Sequence, residues 1–180
     1  VADSGNWTTE IPALTVSLRG NATVKVTVRT LDHALHSGMF GGAVPDAMLA
    51  MTRLLASLHT DSGDVAVDGL KERQAATPEY SLERLREESG LLDGVQALGD
   101  DHLARLWNKP AVTVIGLDMP STAQSSNTLI PAVSAMVSLR VAPGQDAGDA
   151  VAALVRHLEQ HVPFGAHLSV EVLGTGSAFS

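Results

Sequence analysis

The apolar pattern predicts an α+β fold: a ferredoxin-like two-layer sandwich, with an antiparallel sheet, two main helices on one face, and a helical insertion. Three observations carry that reading. Several segments alternate apolar and polar residues with period two, as strands with one wet face do. Two others carry the broader apolar stripe of an amphipathic helix. After a first strand, their order is strand, helix, insertion, strand, strand, helix, strand, which is the split βαβ arrangement.

Residues 13–19 (ALTVSLR) set Leu14, Val16 and Leu18 against Thr15, Ser17 and Arg19. Gly20-Asn21 is a turn signal, and residues 22–30 alternate again through Val24, Val26 and Val28. The two runs predict a hairpin. Residues 31–44 hold three glycines and no sustained period, so a loop is expected. Pro45-Asp46 opens a helix striped by Met48, Met51, Leu55 and Leu58 and broadened by Leu54, with proline suited to its first turn. Between Thr60 and Pro110 the pattern weakens. Short charged helices are expected at Ser81–Glu88 and Asp100–Trp107, in an insertion that packs against the sheet or extends it. Ala111–Leu117 is a strand, 119–131 a polar loop, and Ala132–Val141 a strictly alternating strand. Pro143-Gly144 turns the chain into a helix over Asp146–Val162, and Leu168, Val170 and Val172 mark the last strand. The whole chain, 1–180, is expected to form one domain.

Composition removes several function classes. The chain has no cysteine, so disulfides and thiolate metal sites are out. A net charge of −8 and few aromatic residues argue against nucleic acid and against anionic membrane surfaces as partners. No apolar run is long enough to span a bilayer. The opening VADSGNWTTE has no leader pattern, and a cytoplasmic location is expected. No nucleophile elbow, phosphate loop or dinucleotide fingerprint is present, so a self-sufficient active site is not expected.

Four residues stand out as candidates. His36 lies in Leu35-His36-Ser37-Gly38-Met39-Phe40-Gly41-Gly42, where glycines let backbone bend closely around a ligand. Its imidazole could donate a hydrogen bond to an oxyanion; equally, it could be a surface histidine in a turn. Thr128 ends a polar loop in Asn127-Thr128-Leu129-Ile130-Pro131. Arg140, on the wet side of its strand, could clamp a carboxylate or pair with a nearby acid. Asp3 could ligate a metal, although one aspartate is not a site. His157 and His161 share a helix face four residues apart, but no glutamate directly follows His157 as the metalloprotease pattern requires.

The string Asp32-His33-Ala34-Leu35-His36-Ser37-Gly38-Met39-Phe40-Gly41-Gly42 resembles the lid-domain signature of carnosinase-like metallopeptidases, within the family of acetylornithine deacetylase, succinyl-diaminopimelate desuccinylase and carboxypeptidase G. Asp3 resembles that family's aspartate metal ligand, Thr128-Leu129-Ile130-Pro131 its T/N-x-I-P loop, and Ser138-Leu139-Arg140 its S-[ILM]-R strand. The resemblance implies a lid and dimerisation domain of a homodimeric dipeptidase or aminoacylase. Two zinc ions would sit in a separate catalytic domain, joined through residues 1–10 and 175–180. It implies that His36 and Thr128 reach the partner subunit's site, His36 stabilising the oxyanion. Arg140 would bind the carboxylate of a dipeptide or N-acyl amino acid in its own subunit's site. Alone, the domain would be inactive. The alternatives are a free-standing ferredoxin-like module that binds small molecules, or a purely structural oligomerisation domain.

Overall fold

In a computed structural model of the chain, which describes residues 6–179, the elements in chain order are β1 (Gly20–Arg29), β2 (Leu35–His36), α1 (Ser37–Phe40), α2 (Ala47–Ala56), α3 (Leu82–Ser89), α4 (His102–Trp107), β3 (Ala111–Asp118), β4 (Thr128–Leu129), β5 (Ala132–Val141), α5 (Ala147–His161) and β6 (His167–Gly176). The main sheet runs β3-β5-β1-β6, and every adjacent pair is antiparallel. That is the expected ferredoxin-like order. A second ladder joins only β2 and β4.

Parity decides which face is dry. Ala22, Val24, Val26 and Val28 of β1 are buried, and in β5 so are Val133, Ala135, Val137, Leu139 and Val141. Register sets them side by side: Val24 faces Val137, and Val26 faces Ala135. The two long helices cover this face. α2 contributes Ala47, Ala50, Met51 and Leu54, with Leu58 just beyond its end; α5 contributes Ala150, Val151, Leu154 and Leu158. Each valine, leucine or methionine among them, taken fully out of water, stabilises the fold by about 1.5–3 kcal/mol. Both helices start on an aspartate. Asp46 accepts from Leu49 N–H at 2.7 Å, and Asp146 from Gly148 and Asp149 N–H. Pro45 therefore precedes the cap and does not occupy the first turn.

The hairpin expected at 13–30 does not form. Gly20 and Asn21 are strand residues, not a turn. Residues 13–19 pair only through an isolated bridge between Leu18 and Phe179. Leu14, Val16 and Leu18 remain 91%, 72% and 59% exposed. Gly20 is there for close approach: a Cβ on it would lie 2.8 Å from Ala178 N and Gly176 O. The last stretch of chain thus takes the place beside β1 that a hairpin partner would need.

The segment 60–110 carries α3 and α4 near their expected positions. It joins the core through Val67, with Val65 and Leu70 packed alongside, and polar contacts tie it further to its surroundings. Lys71 N–H donates to Gln145 Oε1 at 2.9 Å, Gln145 Nε2 donates to Gly69 O at 2.8 Å, and Arg19 Nη1 donates to the carbonyls of Arg105 and Lys109. Among the described residues, no helix is long and apolar enough to cross a membrane.

Candidate functional site

The glycine-rich stretch after β1 is more ordered than a loop. His36 ends β2 and caps α1, with extended backbone (φ −72°, ψ 123°). Across the small ladder its partner is Thr128, and Leu35 faces Leu129. Two candidates 92 positions apart in sequence are thus direct cross-strand neighbours. The ladder is anchored from below. Leu129 is buried, Ile130 packs on the core, and Ala47 N–H donates to Ile130 O at 3.0 Å. Ser37 N–H donates to Asn127 O at 2.9 Å, extending the ladder by one bond.

His36 itself is exposed, beside the exposed Met39 and Phe40. Gly38 N–H donates to its Nδ1 at 3.0 Å. A nitrogen that accepts a hydrogen bond carries no proton, so the neutral ring bears its proton on Nε2. Gly38 permits this pose: a Cβ there would lie 2.9 Å from His36 Cε1. Gly41 is equally constrained, since a Cβ would meet Ser37 O at 2.4 Å. Thr128 is half-buried, and its hydroxyl shares a 2.8 Å hydrogen bond with Ser126 Oγ. The neighbouring His33 pairs with Asp32, both well exposed.

Arg140 is not part of this cluster. It is exposed on the open face of β5, opposite Asn21 of β1 and Ala111 of β3. Ala132, at the end of β5 nearest the small ladder, is eight residues away. At roughly 3.3 Å per residue the separation is about 26 Å. An extended dipeptide spans only about 7 Å, so His36 and Arg140 of one chain cannot hold the same dipeptide.

Asp3 lies outside the described residues. Among those described, no three histidine, aspartate or glutamate side chains come together as a metal site. The His157–His161 pair has a structural part instead. The rings stack at 3.9 Å, His157 is buried, and its Nε2 meets Ser57 Oγ at 3.0 Å. Ser57 gives its own proton to Leu54 O, so its oxygen is free to accept from the ring. Burial first, then the neighbouring His161, lowers the His157 pKa, against the opposing pull of Ser57 and Asp68. Sequence spacing missed the support of His36, namely the β2–β4 pairing and the Gly38 contact. Only the glycines gave a signal for it.

Fold and surface together define an α+β domain that presents a histidine on a braced, glycine-rich turn. The chain belongs to the peptidase dimerisation domain family, whose pattern matches residues 16–166. It is 34% identical over its whole length to a cysteinylglycine-S-conjugate dipeptidase of Corynebacterium striatum, covering 40% of that protein. It is 28% identical to the Beta-Ala-His dipeptidase of Homo sapiens, over 82% of this chain and 31% of that one. The crystal structure of human carnosine dipeptidase 1 superposes with a TM-score of 0.77 at 25% identity, over 93% of this chain and 39% of that one. The chain therefore spans two fifths or less of these relatives.

Proposed function

We propose that this domain is the lid and dimerisation domain of a homodimeric, zinc-dependent dipeptidase, and that His36 stabilises the oxyanion formed when a dipeptide or N-acyl amino acid is hydrolysed. One observation carries the reading: the Gly38 N–H···Nδ1 bond fixes the tautomer of an exposed imidazole, so that Nε2–H is a preset donor. A donor already oriented before substrate arrives loses no reorganisation energy when charge develops, which is the condition for transition-state stabilisation.

In this reading the metal-binding residues would lie in a separate catalytic domain, with Asp3 a candidate ligand from this chain. Zinc in such a domain supplies an activated water and polarises the scissile carbonyl. Thr128, braced beside His36, would contact the same substrate. Arg140, at the far end of the sheet, would hold the substrate carboxylate of a different site. Residues 1–10 and 175–180 would join this domain to its catalytic partner, and 60–110 would be an insertion in the ferredoxin-like frame. The absence of cysteine fits a cytoplasmic enzyme.

His36→Ala in the full-length enzyme tests the reading. Loss of one oxyanion donor lowers kcat by about 10²–10³, while zinc content and dimer mass stay as in the parent. Undiminished turnover would remove His36 from the mechanism.

A further inference from the structure

Arg19 immediately precedes β1, and its guanidinium Nη1 donates to the backbone carbonyls of Arg105 and Lys109, each at 3.3 Å. Those carbonyls lie in the segment that leads into β3 at Ala111. In the sheet, β5 lies between β1 and β3. To make these bonds, Arg19 must cross the β5 line. By register that crossing falls two residues past Arg140, which pairs with Asn21 and with Ala111, so Arg140 is the neighbouring β5 residue on the same face, a diagonal neighbour of Arg19. One guanidinium is thus stapled to backbone beside another whose residue is exposed. Among the described residues, neither arginine belongs to an ion pair. Burial, and next the charge of Arg140, depress the Arg19 pKa, as expected for a cation without a counter-ion.

We propose that the guanidinium groups of Arg19 and Arg140 together form a seat for a single substrate carboxylate, each touching it directly. This rests on the carboxylate-binding reading of Arg140 given above. A carboxylate has two oxygens and room for several donors, and binding it between two cations relieves their mutual repulsion while each gains a charge-assisted bond. Arg19 is held by two carbonyls, so it loses little side-chain freedom on binding. Its charge also disfavours rotamers of Arg140 that fold back along the sheet.

The test uses the full-length enzyme and a non-hydrolysable reduced-amide dipeptide, as the free acid and as its C-terminal carboxamide. Calorimetric Kd values are measured for the parent, Arg19→Met, Arg19→Lys, Arg140→Met and the double variant. Arg19→Met is expected to weaken the free acid about tenfold, a typical loss for one charge-assisted bond, and to leave the carboxamide within twofold. The double variant is expected to bind the acid more weakly than either single variant, but by less than the product of their two losses, since both act on one carboxylate. Arg19→Lys keeps the charge without the two-carbonyl brace and is expected to recover part of the loss; it also serves if Arg19→Met fails to fold. If Arg140→Met weakens the acid selectively and neither Arg19 variant does, the inference is overturned while the function of Arg140 stands. Equal weakening of acid and carboxamide by the Arg19 variants also overturns it, because the effect is then on the fold. If Arg140→Met itself does not discriminate, the carboxylate reading fails, and the seat with it.

Discussion

At the scale of single residues, the imidazole and the glycine beside it act as one unit. Gly38 sits within α1 at an ordinary φ, so alanine is tolerated by the backbone and the added methyl acts only on the ring of His36, 2.9 Å away. Gly38→Ala is expected to lower kcat of the full-length enzyme by about tenfold or more, a partial version of removing the donor, while Tm moves by under about 2 °C. A parent-like kcat would mean that ring pose does not matter. His157 gives a second residue-level prediction, on stability. Its folded pKa is lowered by burial and by His161, so the native state binds fewer protons than the unfolded chain. Its contribution is complete above about pH 6.5, the unfolded value, and is lost as pH falls through the folded value. Urea midpoints of the parent are expected to drop below pH 6.5 more steeply than those of His157→Gln; parallel curves would count against it. The residue types at 36, 128 and 140 were legible in the sequence from loop composition, strand parity and family likeness. The contacts that give them meaning were not, because a ring-to-backbone bond two residues away leaves no periodic trace.

Among elements, long strands and helices could be read and short or shared ones could not. β5 and α5 emerge within a residue of the expected bounds, because ten and fifteen residues give parity and stripe enough repeats to be unambiguous. β2 and β4 have two residues each, too few for any period. The failed hairpin teaches a different lesson. Leu14, Val16 and Leu18 alternate as well as β1 does, yet they face outward, since alternation reports an amphipathic strand without naming its partner. The place at β1's flank goes to β6 and the chain that follows it. The junction between the histidine turn and α2 shows how elements support the site. Asp46 caps α2 immediately after the turn, and the Ala47 N–H bond to Ile130 O couples the cap to the β4 side. Asp46→Ala is expected to cost about 1 kcal/mol, seen as a Tm lower by about 2–4 °C in a domain of this size. Unchanged melting would show that the 2.7 Å cap bond contributes nothing net.

For the whole molecule, the distance between the two ends that carry the candidate residues is decisive. His36 and Thr128 stand beyond one end of the main sheet, and Arg140 lies near the other. If all three act in hydrolysis, they must act on two substrates, and a two-fold dimer supplies two sites. Each site would then take His36 and Thr128 from one subunit and Arg140 from the other. That arrangement makes a sharp prediction for mixed dimers. Parent homodimers of His36→Ala or of Arg140→Met each carry the same defect in both sites. In a heterodimer of the two, one site inherits both defects and the other inherits none. Random reassortment of equal amounts makes half the dimers mixed, so activity of about one quarter of the wild type is expected to return from two feeble parents. If both residues served the same subunit's site, every site in the mixed dimer would carry exactly one defect, and no activity would return. Measuring turnover after denaturing and refolding the pair together, with each variant refolded alone as control, separates the two geometries without reference to absolute rates.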